Sequence, residues 1–263
     1  MTSAPVLHLR REGAVALLEL NRPASKNALD ATLVEELGAS LEKLGDDAGV
    51  RAVVLLGAGG AFCSGADLKA SFVDDPDLLD HLPARLTAFH RIVRAIVHAP
   101  KPFIAAVDGP AVGFGCDLAL ACDLRLVTEG GYFQEKFVKI GLMPDGGGTF
   151  FLPRLIGVAR AFEMIYGGEP VHGAEAVRIG LANRLVAPEA LVAEALALAD
   201  RLAGGPPLAF ARIKRAVWAG AGGTFEDALL REREGQLACL RSADAMEGIS
   251  AWIQKRSPKF EGR

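Results

Sequence analysis

A single carboxylate stands between a proline and three glycines in the stretch IGLMPDGGG, residues 140–148. An aspartate in such a turn commonly accepts hydrogen bonds from nearby backbone N–H groups or caps a helix. The same carboxylate could instead transfer protons if the turn faced a ligand pocket. Asp145 is therefore a candidate acid and base, and a turn or capping role is the alternative.

Two earlier glycine-rich turns could supply hydrogen-bond donors to such a pocket. The first is GAGGAFCSGADLK at 57–69, and the second is DGPAVGFGCDLALACD at 108–123. One backbone N–H from each turn could stabilise negative charge on a thioester oxygen, because fixed dipoles need no reorganisation. Close packing between helix and strand explains the glycines equally well. Neither turn completes the three-glycine dinucleotide fingerprint, which disfavours an oxidoreductase with a nucleotide cofactor.

The elements that must position these turns alternate between strand and helix, which predicts an α/β fold. Leucines spaced by three and four residues predict a helix over 29–44, and Asp30 is placed to cap it. A further helix is expected to start near Gly113 to Gly115. The strand candidates cover residues 13–20, 51–58 and 103–109.

The remaining pattern is largely helical. A helix that ends before Pro100 is predicted to carry Pro83 in its first turn. From about residue 190 onward the apolar spacing is helical, with Gly and Pro clusters between the segments. We expect a core at 1–203 and a separate helical region at 204–263.

Composition excludes several classes of function. The 263 residues are 51% hydrophobic, and 29 Lys and Arg stand against 32 Asp and Glu, a formal net charge of -3. No basic field is present to attract nucleic acid or anionic lipid, and no apolar run could span a membrane. With no leader pattern at the start, we expect a cytoplasmic protein. Scattered histidines and unpaired cysteines predict no metal site and no disulfide frame; the cysteines are Cys63, Cys116, Cys122 and Cys239.

Six ordered segments resemble the crotonase family, also called the enoyl-CoA hydratase/isomerase superfamily. They are NRPASKNALD at 21–30, AFCSGADLK at 61–69, KPFIAAVDGPAVGFGCDLALACDLRLV at 101–127, GLMPDGGGTFFLPRLIG at 141–157, GLANRLV at 180–186 and SAWIQKRSPKF at 250–260. The resemblance implies a spiral of ββα units and a C-terminal helical region that builds trimers, commonly paired into hexamers. It also implies a coenzyme A thioester as substrate and no bound prosthetic group.

The resemblance assigns roles to individual residues. The backbone N–H groups of Ala66 and Phe114 would form an oxyanion hole. Lys26 would contact CoA phosphates, for which a lysine point charge is suited, although a solvated surface lysine is the alternative. The full set expected to bind substrate is Lys26, Ala28, Ser64, Ala66, Asp67, Leu68, Phe114, Phe137 and Met143.

The residues at the catalytic positions favour one reaction over another. Relatives that hydrate enoyl thioesters use two glutamates, and the corresponding residues are Asp117 and Phe137. Phenylalanine cannot transfer protons, so the usual pair is broken. Glu135 is expected on the same strand face as Phe137 but roughly 6 to 7 Å away, so it is not counted as a substitute.

Isomerase branches of the family carry their acid in a PD-x-GG turn, which matches Asp145. Double-bond migration needs one carboxylate, so enoyl-CoA isomerisation is the expected reaction. Hydration by Asp117 is the alternative, although a carboxylate in the first turn of a helix also has a structural role. Two further alternatives are dehalogenation of an aryl-CoA, for which His90 would be needed, and CoA binding without catalysis.

Overall fold

The computed structural model describes residues 4–73, 75 and 77–263, so residues 1–3, 74 and 76 of the predicted core lie outside the described part. The strands are β1 (Leu7–Glu12), β2 (Val15–Leu20), β3 (Ala52–Gly57), β4 (Phe103–Val107), β5 (Pro110–Val112), β6 (Leu124–Val127), β7 (Tyr132–Gln134), β8 (Val171–His172) and β9 (Arg184–Leu185). The helices are α1 (Ala31–Asp46), α2 (Leu78–His98), α3 (Phe114–Ala121), α4 (Gly148–Ile156), α5 (Val158–Gly167), α6 (Gly173–Arg178), α7 (Leu191–Ala203), α8 (Pro207–Gly220), α9 (Phe225–Leu240) and α10 (Ala243–Gln254). The α/β class and the helical C-terminal region predicted from the sequence are confirmed.

Two sheets organise the chain. The larger has the order β1-β2-β3-β4-β6-β9, and the smaller has the order β5-β7-β8. β1 and β2 form an antiparallel hairpin, whereas the pairs from β2 to β9 are parallel. β4 runs almost directly into β5, so the chain passes from one sheet to the other at Asp108 and Gly109. This passage forms the start of the second glycine-rich turn.

Local sequence signals account for the elements that support the site. The carboxylate of Asp30 caps α1 by accepting a 2.9 Å hydrogen bond from the Leu33 backbone N–H, as predicted. The predicted strands correspond to β2, β3 and β4. Pro83 does not lie in the first turn of its helix, because α2 begins at Leu78 and places the proline in the second turn. The Thr87 hydroxyl donates to the Pro83 carbonyl at 2.8 Å in that turn.

Alternating side chains on β2 and β3 build two apolar layers. Leu18 and Leu55 face the layer that α1, α2 and α3 complete. Leu17 and Val54 face the opposite layer, which is covered by α7 through Leu191, Ala195 and Leu198. Because α7 packs on the sheet, the helical pattern after residue 190 begins within the core.

The last three helices contribute little to either apolar layer. No described side chain of α8 or α9 is buried. Lys214 anchors α8, because its ammonium donates to the Ile96 carbonyl and to the Asp123 carboxylate, each at 2.8 Å. The boundary at 203 and 204 remains a prediction. Among the described helices, none combines the length and the apolar character needed to cross a membrane.

Candidate active site

The first two glycine-rich turns are joined by backbone hydrogen bonds. The Cys63 N–H donates to the Pro110 carbonyl at 2.8 Å, and the Val112 N–H donates to the Cys63 carbonyl at 2.9 Å. A Cβ atom at Gly115 would lie 2.2 Å from the Cys63 carbonyl oxygen, so only glycine fits there. The start of α3 is therefore fixed against the first turn.

Gly65 brings the two predicted donors together. Its φ of +91° favours glycine, and a Cβ atom would lie 2.7 Å from the Val112 oxygen and 3.5 Å from the Phe114 nitrogen. Ala66 follows Gly65, and Phe114 is the first residue of α3. Among the described residues, no protein acceptor takes a hydrogen bond from the N–H of Ala66 or Phe114. Two neighbouring N–H groups are thus available to a ligand.

A cavity of about 440 Å³ lies beside these two residues. It brings together seven of the residues predicted from the sequence, which come from all three glycine-rich turns and their neighbours. They are Lys26, Ser64, Ala66, Leu68, Phe114, Phe137 and Asp145. The convergence of the three turns could not be inferred from their spacing alone.

The other predicted residues do not line this cavity. Ala28 is buried in the turn that precedes α1. Asp67 forms an ion pair with Arg22, with 3.1 Å between a carboxylate oxygen and a guanidinium nitrogen. Met143 is 68% exposed, and Asp117 lies behind the cavity wall. Binding roles for Ala28, Asp67 and Met143 remain predictions.

The side chain of Asn27 stabilises the turn that carries Lys26. Lys26 and Asn27 both have left-handed backbone conformations, with φ of 53° and 57°, which few residues other than glycine adopt without support. The buried Asn27 amide donates to the carbonyl oxygens of Ala58 and Ala61, at 3.0 and 2.7 Å. Lys26 lines the cavity together with Lys136. Lys136 was not among the residues predicted from the sequence, because its place beside the cavity depends on the tertiary fold and no local motif indicates it.

Aromatic rings form the apolar part of the cavity. Phe89 and Phe114 meet edge to face with their ring centroids 4.5 Å apart. Phe137 packs against Gly113, where a Cβ atom would lie 3.7 Å from its ring. An apolar wall of this kind suits an acyl group and excludes water from it.

Asp145 is the carboxylate that reaches this cavity. Its Oδ1 atom is buried and has no hydrogen-bond partner among the residues described. Burial raises the pKa of the Asp145 carboxyl group, and the nearby His90 acts in the opposite direction. The Nε2 atom of His90 lies 2.9 Å from the Asp145 carbonyl oxygen. Because a carbonyl oxygen only accepts, Nε2 must carry the hydrogen, and the imidazole holds the backbone of the turn.

Asp117 faces the turn rather than the cavity. It is fully buried in α3, and its Oδ2 accepts a 2.9 Å hydrogen bond from the Gly146 N–H. Burial, followed by the charge of Glu135, raises the pKa of Asp117 well above its ordinary value. The geometry favours the structural role that the sequence left open for this residue.

Glu135 and Phe137 do not share a face, which corrects the expectation from the sequence. Strand β7 ends at Gln134, and a 3-10 helix follows over Lys136–Ile140, so the two-residue alternation of a strand does not apply. Glu135 is fully buried, whereas Phe137 lines the cavity. Burial raises the pKa of Glu135 to about 7.

The arrangement provides the equipment for chemistry through an enolate. Two free N–H groups can hold the oxygen of a thioester as negative charge develops on it. One carboxylate of raised pKa can remove and return a proton. Within the described residues, no group of three or more His, Cys, Asp or Glu side chains is placed to hold a metal ion.

Comparisons with known proteins identify the family. A sequence model described as enoyl-CoA hydratase/isomerase matches residues 10–263. A protein of Rhodobacter capsulatus named probable enoyl-CoA hydratase is 39% identical over 95% of this chain and 95% of its own length. The 1,2-epoxyphenylacetyl-CoA isomerase of Escherichia coli is 36% identical over 96% of this chain and 97% of its own. The crystal structure of an enoyl-CoA hydratase from Bacillus anthracis aligns with a TM-score of 0.93 and 32% identity, covering 98% of this chain and 100% of that chain.

Proposed function

Because the chain belongs to the enoyl-CoA hydratase/isomerase family, we propose that it moves the double bond of an enoyl-CoA, with Asp145 as both acid and base. One observation carries this proposal. Asp145 is the only carboxylate among the described residues that line the cavity beside Ala66 and Phe114. Isomerisation needs one such group, whereas hydration in relatives uses two.

The proposed reaction begins with the thioester carbonyl bound by the N–H groups of Ala66 and Phe114. Asp145 breaks a C2–H bond of the 3-enoyl thioester, and the electron pair moves into a dienolate whose oxygen the two donors stabilise. The same carboxyl group then gives the proton to C4. The double bond passes from C3–C4 to C2–C3, and no atom is gained or lost.

Burial of Asp145 supports both halves of this reaction. A carboxyl group with a raised pKa is a stronger base in its ionised form, and it holds the proton it has removed until C4 is ready to accept it. The aromatic wall of Phe89, Phe114 and Phe137 keeps water from competing for the dienolate. Lys26 and Lys136 are proposed to meet the phosphates of coenzyme A, because both line the cavity and carry positive charge.

Hydration is the alternative, since the Rhodobacter relative is named a probable hydratase. It would require a second proton-transfer group at the cavity. Asp117 is fully buried and bonded to Gly146, and Phe137 has no proton to transfer. These contacts favour isomerisation.

Two substrates distinguish isomerisation from hydration. Wild type and Asp145→Asn should each be supplied with a 3-enoyl-CoA and a trans-2-enoyl-CoA, and isomer formation and water addition should be followed separately. We expect isomerisation by the wild type, little water addition, and loss of isomerisation in Asp145→Asn. A wild type that only hydrates, or an Asp145→Asn variant with full isomerase activity, would overturn the proposal.

The C-terminal helices are proposed to assemble the chain into a trimer or a dimer of trimers. Large apolar side chains are exposed along α8, α9 and α10, among them Val217 at 65%, Phe225 at 73% and Trp252 at 86%. Large apolar side chains exposed in such number on consecutive helices are typical of a protein–protein interaction surface. Burial between subunits would cover them.

A further inference from the structure

Two buried carboxyl groups lie behind the cavity and take no direct part in the proposed reaction. Asp117 projects from α3, and Glu135 follows β7; both are fully buried. Gly148 separates them from the turn of Asp145. A Cβ atom at Gly148 would lie 2.6 Å from Asp117 Oδ1 and 2.9 Å from Glu135 Oε1. The two side chains therefore face the same small space, which only a glycine leaves open.

Most of the oxygen atoms in this space have no hydrogen-bond partner. Asp117 Oδ2 accepts a hydrogen bond from the Gly146 N–H. The Gly148 N–H and the Cys116 thiol lie close enough to lower the pKa of Asp117 and of Glu135 respectively. Neither makes a well-formed hydrogen bond to Asp117 Oδ1 or to the Glu135 oxygens in the described part of the chain. Among the ion pairs of the described residues, none includes Asp117 or Glu135. An ionised carboxylate that is buried without a partner is strongly disfavoured.

A proton shared by the carboxyl groups of Asp117 and Glu135 would remove most of the free-energy penalty of burying them. Where a protonated carboxyl group reaches an ionised neighbour it can donate to it, and one oxygen then becomes a donor and the other an acceptor. Two adjacent buried carboxylates cannot both ionise easily, and such pairs titrate together. The other titratable groups facing the pair are the Cys116 thiol and Asp145, and His90 lies beyond Asp145.

We propose that Asp117 and Glu135 share a single proton, and that the one negative charge left on the pair makes Asp145 a stronger base. The pair also holds the turn of Asp145 through the bond from the Gly146 N–H to Asp117. Both are positioning residues, because they act through Asp145 and do not reach the cavity. The inference rests on the proposed role of Asp145.

The effect on Asp145 follows from mutual repulsion. The charge of Asp145 raises the pKa of Asp117 and of Glu135. Because an interaction between two sites is reciprocal, a negative charge on the pair must favour the protonated form of Asp145. Removing that charge should make Asp145 easier to ionise.

Infrared spectroscopy tests the shared proton without any assay of activity. At pH 7 the wild type should show the C=O absorption of a protonated carboxyl group that donates a hydrogen bond to a neighbouring carboxylate. Glu135→Gln and Asp117→Asn should each shift the frequency of this band, because either substitution removes one of the two carboxyl groups, and the double variant should lack the band. A wild type without the band, or a band at the wild-type frequency in either single variant, would overturn the shared proton.

The pH dependence of kcat/KM tests the action on Asp145. The double variant Asp117→Asn/Glu135→Gln carries no charge, and its acid limb should move to lower pH by roughly one unit. An unmoved limb in a folded, active double variant would overturn the electrostatic role. The infrared result does not depend on the reaction. It therefore tests the shared proton even if the isomerase assignment is wrong.

Discussion

The imidazole of His90 donates a 2.9 Å hydrogen bond to the backbone carbonyl of Asp145. This bond ties helix α2 to the turn that carries the proposed catalytic acid. His90 therefore acts on the position of Asp145, although it does not line the cavity beside Ala66 and Phe114.

Replacing His90 with alanine should slow catalysis more than replacing an exposed histidine of the same helix. One net hydrogen bond contributes about 1 kcal/mol, so we expect kcat to fall roughly five- to tenfold and the free energy of unfolding to fall by about 1 kcal/mol. His98→Ala, an exposed position on the same helix, is the matched control. Steady-state kinetics and chemical denaturation measure both effects. Equal kcat values for His90→Ala and His98→Ala would contradict this role.

Gly65→Ala should impair catalysis, because backbone strain and a steric clash both act at this position. Alanine would have to adopt a left-handed backbone conformation, and its Cβ atom would lie 2.7 Å from the Val112 oxygen. Relief of this clash would push Ala66 away from Phe114. We expect kcat to fall by about 100-fold, as for the loss of one oxyanion donor. Gly13→Ala is the control, because its φ is +59° but nothing lies within 4 Å of the added atom. That variant should lose about 1 kcal/mol of stability and keep its kcat.

The stability of the fold should decrease with pH in a window set by Glu135. Burial raises its pKa from 4.5 to about 7, so between these values the folded chain holds a proton that the unfolded chain has lost. The stabilisation is fully present below pH 4.5 and disappears as pH rises through 7. The free energy of unfolding should therefore fall by up to about 1.4 kcal/mol per pH unit within the window.

Glu135→Gln supplies the comparison for that pH dependence. The amide does not titrate, so denaturation curves of the variant should lack this part of the slope, and it should gain stability relative to the wild type as pH rises. Parallel curves for the two proteins across the window would contradict the burial of a protonated Glu135.

The exposed apolar side chains of the last helices should control assembly. Trp252 is 86% exposed on α10, and Trp252→Asp should shift the protein from a trimer or hexamer toward the 27.7 kDa chain. Leu79→Asp, at an 81% exposed position on α2, should leave the assembly intact. Sedimentation velocity distinguishes these states. A wild type that sediments as a monomer would contradict the assembly proposal.

Much of the fold could be predicted from the sequence, because the signals for its elements come from residues close together in the chain. The leucine spacing of α1 and the cap at Asp30 involve neighbours within a few residues, and the sequence displays them directly. The crotonase-like α/β fold is confirmed by the match over residues 10–263 and by the alignment with the Bacillus anthracis structure. The motifs identified the three turns, and their convergence on one cavity agrees with the resemblance.

Contacts between distant segments could not be predicted in the same way. Asp117 and Glu135 belong to different elements, and only the tertiary packing around Gly148 brings them together. Glu135 was expected beside Phe137 because the segment resembles a strand. The chain instead turns into a 3-10 helix after Glu135, which sends one side chain inward and the other to the cavity.

Transfer of a labelled proton tests the central claim, that Asp145 moves a proton from C2 to C4. A 3-enoyl-CoA deuterated at C2 should be supplied to the wild type and to Asp145→Asn, and the trans-2-enoyl product should be analysed by mass spectrometry and NMR. We expect the wild type to place deuterium at C4, and we expect Asp145→Asn to form product at least 100-fold more slowly, as for the loss of a general acid–base group. Product formed by Asp145→Asn at the wild-type rate, with the same label at C4, would contradict the account.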